Sequence, residues 1–177
     1  MDVILLDEVS DKDTLDIDFF SNLYKNQSFN LSFVYSSDFQ NTHFLRNYIK
    51  LILEIVWFDN IWINRFILIA DEMNNNAIEY GSNSGDLNKM NLVINKQENW
   101  FSINLEIIDS WNWTMHKTAL EMEELRNNKV QKWFDNHNSI RWRGLFLIIT
   151  KLVDELYFKD DENGWLVVWI NKNIVLS

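Results

Sequence analysis

The sequence contains no cysteine and no proline. Without cysteine the chain can form no disulfide, has no thiolate nucleophile and offers no cysteine-ligated zinc site. Histidine is scarce, and His43, His116 and His137 lie in separate segments without the spacing of metal ligands. These absences exclude thiol chemistry and favour ordinary polar roles for the histidines. The absence of proline also means that no domain boundary can be inferred from that residue.

Basic residues are fewer than acidic residues in this sequence. The chain has 16 Lys and Arg against 26 Asp and Glu, which gives a formal net charge of −10. Such a chain would repel the phosphate backbone of DNA or RNA, so we expect no nucleic-acid partner. An acidic surface is instead suited to a basic protein partner.

Long hydrophobic runs are absent too. The apolar runs Leu51–Val56 and Phe66–Ala70 are short and have charged residues nearby, so the sequence predicts no membrane-spanning segment. Met1–Asp7 contains no basic segment followed by a long apolar run, which is the pattern of a secretory signal. We therefore expect a cytoplasmic protein that makes no use of a membrane.

The 177 residues, of which 47% are hydrophobic, can build one compact unit with a sizeable core. Residues 1–28 are predicted to be an acidic N-terminal extension, and residues 29–177 are predicted to be the domain. The chain also has 12 Phe, 9 Trp and 5 Tyr, more rings than a core of this length requires. Some of the rings either line a pocket or an interface, or simply enlarge the core.

Hydrophobic periodicity predicts alternating groups of strands and helices. The predicted strands are 30–36, 89–96, 100–109, 156–159 and 165–171, and the predicted helices are 42–58, 61–80, 119–134 and 144–156. Gly81 is placed where a left-handed cap commonly ends a helix, and Asn163-Gly164 suits a hairpin turn. The helix within the polar segment 110–141 is interpreted either as part of a mobile cover or as a fixed surface helix. The pattern favours a two-layer α/β sandwich of the α+β class, with helices on one face of a mixed, mainly antiparallel sheet.

Three polar residues are candidates for chemistry. Glu72 and Asn76 are four residues apart, so a helix places them on one face. A carboxylate there can accept a proton from a hydroxyl, and an amide oxygen can ligate Mg²⁺. Asp109 ends a predicted strand, where it can accept a hydrogen bond from the exocyclic amine of a base. Without further context, a solvated helix face and a turn-forming aspartate are the simpler interpretations.

The order of these residues resembles the GHKL (histidine-kinase-like) ATPase superfamily, and within it the anti-sigma-factor serine/threonine kinases of bacteria. Phe66–Gly81 looks like the family's N box, with Tyr80 in place of its histidine. Ile107–Asp109 looks like the strand that leads into Asp-x-Gly-x-Gly, and Arg143–Leu147 resembles the second glycine box. The resemblance covers roughly residues 30–172, and it implies the GHKL, or Bergerat-type, ATPase fold.

The resemblance implies that ATP and Mg²⁺ are the cofactors. Glu72 would be the general base for phosphoryl transfer to a serine or threonine of a partner protein, Asn76 would hold Mg²⁺, and Asp109 would bind the adenine amine. The segment 110–143 would close on the phosphates through backbone amides. The residues implied to contact the nucleotide at the second glycine box are Arg143, Gly144 and Leu145. The implied partners are a sigma factor and an anti-sigma antagonist protein, and the family also suggests a homodimer.

The glycine boxes of this sequence are degenerate. Trp111 and Trp113 occupy the positions of the two glycines expected after Asp109, and Trp142 lies two residues before Gly144. Either indole of the first box could stack on adenine, or both could fill the space of the nucleotide. Three interpretations follow: an ATP-binding anti-sigma regulator with kinase activity, a non-catalytic protein-binding module that has lost ATP binding, and an unrelated α/β domain.

Overall fold

The computed structural model describes residues 2–9, 18, 21–22, 28–56, 59–110, 118–131 and 151–175. These residues form one six-stranded sheet and three α-helices. The strands are β1 (Asp2–Leu5), β2 (Ser28–Ser36), β3 (Leu87–Lys96), β4 (Trp100–Ile108), β5 (Glu155–Asp160) and β6 (Leu166–Val175). The helices are α1 (Phe39–Ile55), α2 (Asn60–Asn76) and α3 (Ala119–Gln131).

The strands follow the spatial order β1-β2-β3-β4-β6-β5. Only β1 and β2 run parallel, and the other neighbouring pairs are antiparallel. The sheet is therefore mixed and mainly antiparallel, as the sequence predicts. The first strand and the 3-10 turn after it, Leu6–Glu8, come from the predicted acidic extension, and Leu6 is fully buried in the core.

Aspartate side chains begin the first two helices. Asp38 accepts a hydrogen bond from the backbone N–H of Gln40, and Asp59 accepts one from the N–H of Trp62. These bonds satisfy N–H groups that have no partner within the first turn of a helix. Asp59 therefore separates the two helices at the break that the sequence predicts.

The helices lie on one face of the sheet. The apolar residues of α1 and α2 pack on the alternating strand residues of that face, among them Phe33, Leu92 and Leu105, in one continuous core. On α3, Met122 packs with Phe158 and Leu166 in a smaller cluster beside it. Both clusters contact Leu156 and Val168, so they share one side of the sheet. This arrangement is an α+β fold with a two-layer sandwich organisation, in agreement with the prediction.

Two predicted boundaries change in the structure. The helix predicted over 144–156 does not reach its last residues, because β5 begins at Glu155, and most of the predicted helix lies outside the described residues. The last strand continues to Val175, four residues beyond the prediction. The hairpin that joins β5 to β6 turns at Gly164, whose φ is 81°, and this confirms the predicted Asn-Gly turn. None of the helices in the described residues has the length and apolar character needed to cross a membrane.

Candidate functional site

The side chains of Glu72 and Asn76 lie on the C-terminal half of α2. Glu72 and Asn76 are one turn apart, and both are half-buried on the flank of the helix. The Nδ2 atom of Asn76 is buried and has no hydrogen-bond partner. A buried donor without an acceptor costs about 1–3 kcal/mol. The helix therefore ends with an amide that would gain from an external acceptor.

The carboxyl group of Glu72 lies in a partly desolvated setting. Its burial raises the pKa of this group, and the negative charge of the adjacent Asp71 raises the pKa further. Asp71 itself forms an ion pair with Arg46 of α1, with 2.5 Å between Oδ2 and Nη2. Within the described residues no cation or hydrogen-bond donor pairs with Glu72. A carboxylate with a raised pKa and a free lone pair is suited to accept a proton.

Asp109 is the residue that follows β4, and only 6% of its surface is exposed. Alternation along the strand directs its side chain to the same face as the buried Leu105 and Ile107, towards the helices. Its Oδ1 atom is buried and has no hydrogen-bond donor. A buried carboxylate oxygen without a hydrogen-bond donor is uncommon in folded proteins, and its presence requires an explanation.

The pKa of Asp109 is raised to about 7. Burial is the largest cause, because it disfavours the charged form. A backbone hydrogen bond from Leu166 lowers the pKa, and the negative charges of Asp160 and Asp161 raise it. The group therefore changes its charge near neutral pH.

Gly81 packs directly against this carboxyl group. A Cβ atom built on Gly81 would lie 2.1 Å from Oδ2 of Asp109 and 2.5 Å from its Cβ. The left-handed cap predicted at Gly81 is wrong, because the positive φ angles of the described glycines occur at Gly85 and Gly164. The helix instead continues into a π-helical turn, Ala77–Gly81. Glycine is required here because the end of the helix approaches the strand so closely.

Tyr35 and Asn74 form a buried polar pair in the core. The hydroxyl of Tyr35 donates to Oδ1 of Asn74, and Nδ2 of Asn74 donates to the carbonyl of Ala70 at 2.8 Å. Burial raises the pKa of Tyr35, and the negative charge of Asp109 raises it further, so these two groups lie within electrostatic reach. The sequence interpretation missed this pair. The alternation of Leu31, Phe33 and Tyr35 along β2 was the available signal that Tyr35 faces the helices.

A second polar cluster fixes the chain where it leaves β4. Asn88 is almost fully buried, and its Nδ2 atom donates to Oγ of Ser37 at 2.8 Å and to Oγ of Ser82 at 3.1 Å. Its Oδ1 atom accepts from the backbone N–H of Ser110 at 3.2 Å. One amide thus joins the segment after β2, the end of the π-helical turn and the residue that follows Asp109. No sequence motif pointed to Asn88.

The described part of the predicted cover is the helix α3, which is docked on the sheet. The carboxylate of Asp160 accepts a hydrogen bond from the backbone N–H of Ala119 at 2.9 Å. Arg126 donates to the carbonyl of Leu156 at 2.7 Å and pairs with Glu123. These contacts favour the fixed surface helix over a mobile cover for residues 119–131.

The structure does not describe the predicted nucleotide contacts of the glycine boxes. They are Trp111, Trp113, Arg143, Gly144 and Leu145. The chain matches no protein-family model, and no curated protein sequence matches it. The functional interpretation therefore rests on the side chains described above, namely the half-buried Glu72 and Asn76 and the buried Asp109 with its orphaned oxygen.

Proposed function

We propose that this protein binds an adenine nucleotide beside the C-terminal end of α2 and the end of β4. The observation that carries the proposal is the buried Oδ1 of Asp109, which has no hydrogen-bond donor. An unmet acceptor in the interior lowers stability, and a ligand that supplies the donor recovers the lost free energy on binding. The exocyclic amine of adenine is such a donor.

The α2 helix supplies the other half of the proposed site. Asn76 has an orphaned Nδ2 that can donate to a phosphate oxygen, and its Oδ1 is a hard ligand suited to Mg²⁺. Glu72 adds a carboxylate one turn away. Mg²⁺ usually retains several waters and binds proteins through one or two side chains together with phosphates, so this small donor set fits it. When bound, the ion would neutralise charge on the phosphates.

From β2 onwards the described elements follow the order expected from the sequence: a strand, two helices, two strands, a helix within the polar segment, and a final hairpin. The further helix expected before this hairpin, residues 144–156, lies mostly outside the described residues. We therefore propose the GHKL fold and a cytoplasmic anti-sigma-like regulator. In this proposal Glu72 serves as the general base towards a serine or threonine of an antagonist protein. Its raised pKa suits that role, because a base works best when its pKa lies nearer the working pH. The sigma factor, the antagonist and a homodimer belong to this proposal through the resemblance.

A second candidate function is a non-catalytic module that binds a protein partner and has lost nucleotide binding. The observation that favours it is the presence of Trp111 and Trp113 where the family pattern has glycines. An indole at either position restricts the backbone angles that glycine allows and occupies space near the base. The two candidates differ in one property that can be measured directly, the affinity for ATP.

The decisive experiment is calorimetric titration of ATP with Mg²⁺ into the wild type, Asp109→Asn and Asp59→Asn, at a pH above the pKa of Asp109. Asp59→Asn is a control with the same change in charge, and asparagine still caps α2. We expect Asp109→Asn to weaken binding by about tenfold or more, since one hydrogen bond to a charged group is lost. The control should leave the affinity unchanged. An absence of heat from the wild type at millimolar ATP would eliminate the proposal and favour the non-catalytic module.

Two further variants divide the site into its parts. Asn76→Ala should weaken ATP binding more in the presence of Mg²⁺ than in the presence of a chelator. Glu72→Gln should retain the affinity for ATP, because the residue is proposed to act on the hydroxyl of the partner protein. An equal loss for Asn76→Ala with and without Mg²⁺ would remove the metal role from that residue.

A further inference from the structure

The sheet face opposite the helices carries an aromatic pair beside a carboxylate. Tyr157 of β5 and Trp169 of β6 are direct neighbours, and their rings are stacked with 4.5 Å between the centroids. Glu106 of β4 is the neighbour of Trp169 on its other side. Leu105 and Ile170, which adjoin Glu106 and Trp169 in the chain, are buried in the main core, so alternation directs the carboxylate and the rings to the opposite face.

The indole of Trp169 has one ring face turned to each neighbouring strand. Tyr157 covers the face that is turned to β5. The opposite face of the ring is turned to β4, the strand that carries Glu106. In the described part of the chain, no second ring stacks on this indole and no cation lies over it. The face of an aromatic ring is the negative part of its quadrupole, so it attracts positive charge.

The carboxylate of Glu106 is held in place by a neutral donor. Its Oε2 atom accepts a hydrogen bond from Nδ2 of Asn91, the neighbouring residue on β3, at 2.6 Å. Among the described residues, no donor bonds to Oε1. Lys89 and Lys159 lie on the same face, but neither forms an ion pair with Glu106. The carboxylate is therefore oriented by Asn91 without being neutralised.

A carboxylate oxygen beside the face of an indole restricts the chemistry of a ligand. Glu106 would repel an anion, and an apolar group would cover the carboxylate without giving it a donor. A guanidinium group meets both requirements, because it is planar, stacks on aromatic rings and donates several N–H bonds to a carboxylate. The net charge of −10 adds a general attraction for a basic partner.

We propose that Glu106, Trp169 and Tyr157 form a docking site for an arginine side chain of a partner polypeptide. The guanidinium stacks on Trp169 and donates to Oε1 of Glu106, and Asn91 is the positioning residue for this carboxylate. The site lies on the face opposite the proposed nucleotide site. It therefore goes beyond the proposed function and does not depend on nucleotide binding.

The side chains around this site favour a polypeptide over a small free cation. Asn171 and Asn104 lie on the same face, two residues from Trp169 and Glu106, and Nδ2 of Asn171 donates to Oδ1 of Asn104 at 2.8 Å. Amide groups can donate to and accept from the backbone on either side of a bound arginine. Glu155 lies opposite Asn171 and adds a second carboxylate at the exposed edge of the sheet.

The test is an NMR titration with a blocked glycine-arginine-glycine peptide. The matched ligand is the same peptide with citrulline in place of arginine, which has a similar shape but no positive charge. We expect the arginine peptide to shift the indole N–H signal of Trp169 and the backbone N–H signal of Glu106, and the citrulline peptide to bind about tenfold more weakly. Agmatine, which has a guanidinium group but no peptide bond, should also bind more weakly than the arginine peptide.

Two variants and one control locate the site. Glu106→Gln removes the charge and keeps an oxygen that can accept from Asn91, so the affinity for the arginine peptide should fall about fivefold. Trp169→Phe provides a smaller ring with a weaker attraction for cations, and the affinity should fall about threefold. Glu162→Gln makes the same change in charge at an exposed position in the turn between β5 and β6, and it should leave the affinity unchanged.

The wild type alone can overturn the inference, even where a variant fails to fold. Equal affinities for the arginine and citrulline peptides would overturn it, and so would shifts that leave the Trp169 and Glu106 signals unchanged. Equal effects of Glu106→Gln and Glu162→Gln would also contradict the site. Agmatine that binds as tightly as the peptide would overturn the polypeptide partner and assign the site to a free cation. A failed ATP titration would eliminate the nucleotide site and leave this inference standing.

Discussion

Gly81 and Asp109 touch so closely that the position of a Cβ atom on Gly81 lies 2.1 Å from Oδ2 of the carboxyl group. The contact joins the π-helical end of α2 to the end of β4, and these two elements carry all the described candidate residues. It also explains why the chain has glycine at position 81 without a left-handed backbone. The position of the carboxyl group in the fold therefore depends on the absence of one methyl group.

Gly81→Ala should destabilise the protein, because the new methyl group would overlap the side-chain atoms of Asp109. Overpacking of this kind typically costs about 1–3 kcal/mol. The free energy of unfolding in urea measures the effect. Asp109→Ala should not relieve the overlap, since the Cβ of Asp109 is only 2.5 Å away, whereas Asp109→Gly should. A double-mutant cycle without coupling between Gly81→Ala and Asp109→Gly would contradict the assigned contact.

The raised pKa of Asp109 makes stability depend on pH. In the unfolded chain the pKa returns to about 4, so between about pH 4 and pH 7 the folded state binds more protons than the unfolded state. The free energy of unfolding should therefore fall as the pH rises through this range, by up to about 4 kcal/mol, and remain level above it.

Asp109→Asn is the control for this pH dependence, because its amide does not titrate. The difference in unfolding free energy between the wild type and the variant cancels the contributions of the other carboxyl groups, including Asp154 and Asp161, whose pKa values are lowered. The variant should be the more stable protein at about pH 8, where the wild type has to bury a charge. A difference that does not change with pH would show that Asp109 titrates normally.

Tyr35 and Asn74 give a prediction about the core. Tyr35→Phe removes the hydroxyl that donates to Asn74 and leaves Oδ1 of this buried amide without a partner. We expect a loss of about 1–3 kcal/mol in unfolding free energy, the usual cost of an unsatisfied buried group. Tyr157→Phe is the matched control, because Tyr157 is 41% exposed. Equal effects of the two substitutions would contradict the role of the buried pair.

Asn88 gives a prediction about the segment that leaves β4. Asn88→Ala removes two donated bonds and the acceptor for the N–H of Ser110. Hydrogen exchange at the Ser110 amide should become faster in the variant, because its acceptor is gone, while exchange within the α1 helix should change much less. Unchanged protection at Ser110 would show that another acceptor holds this amide.

The sequence was sufficient for features that depend on local patterns. The apolar spacing of α1, the break at Asp59 and the turn at Gly164 each follow from residues that are close in the chain. The end of the helix predicted over 144–156 could not be placed in this way, because Leu156 fits both a helical and a strand pattern. The alternation of β2 likewise predicted a strand but not its neighbours in the sheet.

The details of the candidate site depend on contacts between distant residues. The separation of Glu72 and Asn76 was visible in the sequence, since both belong to one helix. The position of Gly81 against Asp109 was not, because it requires a π-helical turn and the end of a strand to meet. Local periodicity does not show that a helix end and a strand end lie in contact. Asn88 was missed for the same reason, because its partners Ser37 and Ser110 are distant from it in the chain.

The N-terminal strand offers a test of how the first residues contribute. Leu6 is fully buried in the main core, and the carboxylate of Asp7 accepts hydrogen bonds from the backbone N–H of Ser36 at 2.8 Å and from Nδ2 of Asn41 at 3.2 Å. Leu6→Ala should therefore lower the unfolding free energy by about 2–5 kcal/mol, as expected for a truncated core leucine.

Leu5→Ala is the matched control, since Leu5 is 43% exposed and faces the other side of the sheet, and its cost should be much smaller. Urea denaturation of the two variants measures the difference. If Leu6→Ala were as mild as Leu5→Ala, residues 2–8 would contribute little to the core. A large cost for Leu6→Ala alone would mean that the acidic N-terminal segment folds together with the sheet.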